Sequence, residues 1–105
     1  MTRLALVLPV LLAACAQADK PALSDFTPEA DGRWRFIAQS TGTSYPPDSA
    51  SAEQTRLLWL QEDVIANRAC PPNGAYRVTR RTVLQEGQTY IGIGLYRIVY
   101  DVECQ

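Results

Sequence analysis

The chain contains no histidine. That absence removes the commonest general base, the commonest zinc ligand and every Ser/His or Cys/His nucleophile pair. An enzyme built from these residues would have to work with carboxylates, tyrosines and serines alone. Lysine is nearly as scarce, with Lys20 the single example beside a run of arginines, and a net charge of −1 lacks the broad basic excess of a dedicated nucleic-acid binder. No Cys-x-x-Cys pair supports redox exchange, and Gly92-Ile93-Gly94 has neither a third glycine nor a Walker lysine to hold a nucleotide. Also missing is an apolar run of the roughly 20 residues that cross a bilayer as a helix. The longest, Leu4 to Leu12, is broken by Pro9. A chain of 105 residues has room for one small core, to which a covalent staple would add useful stability.

What is present begins at the N-terminus. One cation, Arg3, precedes the apolar stretch, and small residues precede Cys15, which is the order of a secretory signal. Leu12-Ala13-Ala14-Cys15 resembles the lipobox of bacterial lipoprotein precursors, with Leu12 as the aliphatic residue, Ala13 and Ala14 as the small ones and Cys15 as the lipid acceptor. The resemblance covers only these first residues. It implies cleavage before Cys15, removal of residues 1–14, and a diacylglyceryl thioether on the Cys15 sulfur. At about 0.8 kcal/mol per buried methylene, two or three acyl chains hold durably where one does not. Ala16, rather than aspartate, follows the acceptor. In a Gram-negative host the resemblance then implies the periplasmic face of the outer membrane. With Cys15 assigned to lipid, Cys70 and Cys104 are left as an even pair in an oxidising compartment, and a disulfide is expected between them.

Beyond the acceptor, Ala16 to Asp31 is small, acidic and interrupted by Pro21 and Pro28, and residues 15–31 are expected to form the lipidated cysteine and a flexible tether. Leu23 and Phe26 are the residues there able to dock onto a domain. Residues 32–105 are expected to form that domain. Arg33 to Ser40 alternates as a strand. Gly42 to Ser49 is a loop. Ser51 and Gln54 have capping-box spacing and open a helix to about Arg68, with Leu57, Leu58, Leu60, Val64 and Ile65 on its apolar arc and Trp59 near the polar side. After the Pro71-Pro72-Asn73-Gly74 turn, Ala75 to Gln85 resumes strand character and Glu86 to Thr89 is read as a turn. The apolar parity then changes from Ile91, Ile93 and Leu95 to Tyr96, Ile98, Tyr100, Val102 and Cys104, which a bulge near Gly94 would explain. The expected fold class is α+β, with one amphipathic helix packed on a three-stranded, mainly antiparallel sheet in the order strand, helix, strand, strand.

In such a sheet Arg33, Arg35, Arg77, Arg81 and Arg97 are expected to share the outward face, partly balanced by Asp101 and Glu103. Guanidinium groups suit bidentate contacts with carboxylates and phosphates, so this face is the candidate surface for an anionic glycan or an acidic envelope protein. No catalytic residue, metal site or cofactor is expected. The missing catalytic residues and the lipobox resemblance together imply a lipid-anchored, non-catalytic interaction or structural module of the cell envelope. An inhibitor of an envelope-degrading enzyme, using the loop from Gly42 to Ser49, is the alternative, and a small enzyme comes third.

Overall fold

The computed structural model describes residues 19–105; the expected signal segment and lipid acceptor Cys15 lie outside the described residues. Four strands and one principal helix follow in the order β1 (Ser24–Ala30), β2 (Arg33–Thr41), α1 (Ala50–Ala66), β3 (Tyr76–Gln88) and β4 (Gly94–Cys104). All neighbouring strands are antiparallel, and the sheet order is β1-β2-β4-β3, so the last strand in the chain lies between β2 and β3. The α+β class is as expected, with one strand more than the three anticipated.

The additional strand is β1, within the stretch expected to be a tether. Pro28 has no N–H to give a ladder, but an edge strand tolerates it because one side of the strand needs no donor. The strand is held by side chains: Phe26 stacks on Trp34 with ring centres 4.6 Å apart and planes 7° from parallel. Residues 19–23 are helical and already fastened to the domain. The Lys20 ammonium lies 2.8 Å from an Asp63 carboxylate oxygen, and Tyr45 Oη donates to Asp19 Oδ2 at 2.7 Å.

Helix α1 starts one turn after Pro46-Pro47, capped by Ser49 rather than Ser51. The Ser49 hydroxyl accepts the Ala52 N–H at 3.2 Å. Its buried face is Ala52, Arg56, Trp59, Leu60 and Val64. Leu57, Leu58 and Ile65 are exposed, and Trp59 is 1 % exposed, its ring 5.3 Å from that of Tyr45. The expected apolar arc is therefore rotated by roughly 100° from the face that packs. The reason is Arg56, which occupies the middle of the buried stripe where a periodicity reading looks for a hydrophobe.

The core forms between that face and the inward residues of the sheet, chiefly Phe36, Ala38, Ile98, Tyr100 and Val102. β4 carries Ile98, Tyr100 and Val102 inward at alternate positions, the parity expected for it. The phase change before it has a different cause from the one expected. β3 runs on to Gln88, and residues 89–93 are the hairpin loop, closed by Thr89 N–H to the Ile93 carbonyl and Gly92 N–H to the Thr89 carbonyl, both 2.8 Å. Register irregularities lie on β3, between Val78 and Arg80 and between Gln85 and Gly87, and not at Gly94. Gly94 is instead a close approach: a Cβ there would lie 2.7 Å from Cζ of the Tyr96 ring. Cys70 and Cys104 form a disulfide, Cα atoms 5.3 Å apart, joining the turn after α1 to the end of β4.

Candidate functional site

Helix α1 covers one face of the sheet. The other is left open by the described residues, and strand pairing fixes which side chains reach it, because residues directly opposite in an antiparallel ladder point to the same side. Arg33 faces Glu103, Arg35 faces Asp101 and Gln39 faces Arg97 across β2 and β4, while Arg77 faces Glu103 across β3 and β4. Four of the five arginines expected outward, Arg33, Arg35, Arg77 and Arg97, therefore share this face.

Arg81 does not. The irregularity between Val78 and Arg80 inserts Thr79 and reverses the parity of the strand beyond it, so Arg80 lies opposite Asp101 and Arg81 lies opposite the inward Tyr100. The correction exchanges one arginine for its neighbour: Arg80 belongs to the open face and Arg81 to the helix side. A single extra residue on one strand leaves no compositional mark, and nothing in the order Val78-Thr79-Arg80-Arg81 signals it.

On the open face the arginines are interleaved with carboxylates. Arg35 bridges Glu29 at 3.0 Å and Asp101 at 3.4 Å, Arg97 pairs with Glu86 at 3.1 Å, and Arg77 stands 3.7 Å from Glu103. All three arginines are substantially exposed, and pairs of that kind contribute about 0–1 kcal/mol each. Arg33 and Arg80 are exposed and have no ion-pair partner among the described residues. They border a shallow depression of about 560 Å³ that Arg35, Glu29, Asp101 and Glu103 also line. The face thus carries alternating charge with two cations free to take an outside acceptor, rather than a uniform basic stripe. Asp101 and Glu103 are engaged by Arg35 and Arg77, and no cluster of three metal-ligating side chains occurs among the described residues.

Sequence reasoning missed a second cluster, on the helix side. Arg56 is 0 % exposed, and its guanidinium is filled by five acceptors. Nε donates to Glu53 Oε1 at 3.0 Å and to Tyr100 Oη at 3.1 Å; Nη1 donates to the Tyr45 carbonyl at 2.7 Å; Nη2 reaches the carbonyls of Pro46 at 3.2 Å and Pro47 at 3.4 Å. Glu53 also accepts from Tyr100 Oη at 2.7 Å and from Arg81 Nε at 3.2 Å, and Arg81 Nη2 donates to the Pro47 carbonyl at 2.8 Å. Burial works against the Glu53 carboxylate, yet the hydrogen bonds from Tyr100, Arg56 and Arg81 outweigh it and hold its pKa below the ordinary value. Burial first, then the bond to Glu53, pushes the Tyr100 phenol up. The cluster fastens the loop from Gly42 to Ser49 onto both α1 and the sheet. Its polar groups are spent on one another and on backbone, which makes it a fastening. The signal available in advance was a lone arginine inside an otherwise apolar helical stripe, three residues after a glutamate.

No protein-family model, curated protein or solved structure matches this chain.

Proposed function

We propose that this protein is a lipid-anchored cell-envelope component whose domain is a small, non-catalytic interaction module. The Leu12-Ala13-Ala14-Cys15 lipobox supports the anchor. The observation that carries the interaction role is the uncovered sheet face, on which Arg33 and Arg80 flank a shallow depression without a carboxylate of their own among the described residues. Two guanidinium groups so placed suit a partner presenting carboxylates or phosphates, either an envelope protein or an anionic glycan. Outer-membrane placement, facing the periplasm, follows from Ala16 after the acceptor. Crosslinking of the lipidated protein in its own envelope tests the reading. The adducts formed by wild type should be lost in the Arg33→Glu/Arg80→Glu variant and kept in an Arg68→Glu control on the helix side. An unchanged adduct pattern in the double variant refutes the assigned surface, and lipid-free Cys15 refutes the anchor.

A second reading has its own support. The Gly42 to Ser49 loop is fastened through the carbonyls of Tyr45, Pro46 and Pro47 by Arg56 and Arg81, and a rigid, preorganised loop is what an inhibitor inserts into an enzyme's cleft. Loss of the protein would then sensitise cells to a lytic enzyme such as lysozyme. Equal survival with and without the gene rejects this second role.

A further inference from the structure

Leu23, which leads into β1, and the tip of the β3–β4 hairpin lie at the same end of the sheet, at its opposite edges. β2 ends there at Thr41, opposite Leu95, and Gly42 donates its N–H to the Gly94 carbonyl at 3.0 Å. Leu23 lies at the same end, sharing a surface cavity with Thr41, Glu86, Leu95 and Tyr96. From that end the 89–93 loop projects Tyr90, fully exposed, and Ile91, 67 % exposed. Hairpin tips favour small polar residues. Here two large side chains with apolar surface stand next to each other at the tip of the hairpin, where no described residue covers them. The turn that carries them is closed: besides its two backbone bonds, Thr89 Oγ1 accepts the Ile93 N–H at 3.1 Å, and Gly92 supplies the positive φ of 86° that the reversal needs.

Only Ala16, Gln17 and Ala18 separate Cys15 from Asp19. However those residues are arranged, four Cα–Cα steps reach at most about 14 Å. Asp19 is held by Tyr45, whose carbonyl accepts from the Ser40 hydroxyl one residue before Thr41. A chain acylated at Cys15 therefore keeps this end of the molecule close to the headgroups. We infer that the Tyr90–Ile91 tip docks into the membrane interface beside the lipid anchor, a second contact with the same bilayer that rests on the proposed lipidation of Cys15. Tyrosine rings settle at headgroup level, apolar body inward and hydroxyl wet, and the neighbouring isoleucine reaches the acyl boundary. Charge contributes little at this end, because Glu86 is paired with Arg97, so docking does not depend on anionic lipid. The contact also sets orientation. With the tip in the interface, Arg33 and Arg77, at the start of β2 and β3, stand at the end of the sheet away from the bilayer.

The test uses lipidated protein purified from its own envelope and reconstituted into phosphatidylethanolamine/phosphatidylglycerol vesicles containing spin-labelled acyl chains. An Ile91→Cys variant carries an environment-sensitive fluorophore; an Asp31→Cys variant, labelled in the turn between β1 and β2 at the far end, is the reference. Emission at position 91 should shift to the blue and be quenched several-fold more than at position 31. Adding Tyr90→Asp should return it to the reference level while the mass of the N-terminal peptide still includes the lipid. Equal, weak quenching at both positions on a protein lipidated at Cys15 overturns the docking and leaves the anchor standing. An N-terminal peptide without lipid overturns the anchor, and the docking with it.

Discussion

Replacing Arg56 with alanine removes the group on which the helix side of the domain converges. The guanidinium is fully buried, and its loss leaves the carbonyls of Tyr45, Pro46 and Pro47 with only the donors Ser40, Ser49 and Arg81 supply, and Glu53 with one cation fewer. Removing one partner of a buried ion pair costs about 3–5 kcal/mol. Glu53 is 26 % exposed and keeps Arg81 and Tyr100, so the lower end of that range, about 3 kcal/mol, is the appropriate expectation. In a domain of this size each kcal/mol moves Tm by about 4–8 °C, which places Arg56→Ala roughly 12–24 °C below wild type. Thermal and urea unfolding followed by tryptophan emission, with the disulfide intact, read this out. Arg56→Lys keeps the charge without the planar fork and should fall between the two. Combining Arg56→Ala with Glu53→Ala should cost less than the sum of the single changes, because each residue alone leaves the other's polar group stranded. A shift of Arg56→Ala within about 0.5 kcal/mol of wild type, the behaviour of an ordinary surface arginine, refutes the burial and the network together.

Glu53 also gives the domain an acid limb. Its folded-state pKa lies below the ordinary 4.5, so its contribution is complete above that value and is lost as pH falls through the folded pKa. Glu53→Gln should flatten that part of the pH–stability curve, and an unaltered slope counts against the assignment. At the alkaline end Tyr76 and Tyr100 are both raised above 10.0, by burial in each case and by Glu53 in the second. A raised folded pKa contributes stability that is complete below the unfolded value and declines as pH rises past it. Ultraviolet titration should therefore lose its late-forming tyrosinate signal in Tyr76→Phe and Tyr100→Phe, and stability should fall above pH 10; variants that leave the late part of the titration unchanged would contradict this. Reducing the Cys70–Cys104 bond opens a loop with a sequence separation of 34, worth roughly 3–4 kcal/mol on the chain-entropy model, and thiol titration with unfolding curves before and after reductant measures it. The bulge at Thr79 makes adjacent arginines unequal: Arg81→Glu should destabilise clearly by opposing Glu53, whereas Arg80→Glu should stay within about 0.5 kcal/mol of wild type. Equal effects would place both on one face.

Periodicity made β2, β4 and the existence of α1 legible, because each is a run long enough for one period to dominate. The inward parity of β4 follows from Tyr96, Ile98, Tyr100, Val102 and Cys104 without further information. β1 was hidden because an edge strand needs little hydrophobicity and can carry Pro28; its evidence is the stacking of Phe26 on Trp34, a contact across strands that no local pattern contains. The face of α1 was hidden by Arg56, a charge whose five acceptors come from Glu53, Tyr100 and a loop of prolines. The open face was readable in four arginines out of five. The fifth was misplaced by one inserted residue, since strand parity has a memory of only two positions and Thr79 resets it.

The position of β4 bears on how the domain is assembled. The last of the four described strands in chain order is the one that β2 and β3 both pair with, and it brings Cys104 to Cys70. Until it arrives, β3 has no neighbour, the β1–β2 hairpin has half a core, and α1 has no floor beneath Trp59 and Leu60. Earlier portions of the chain therefore have no stable partial sheet to fall into. Strand pairing and covalent closure therefore coincide: the segment that completes the sheet is also the one that closes the disulfide.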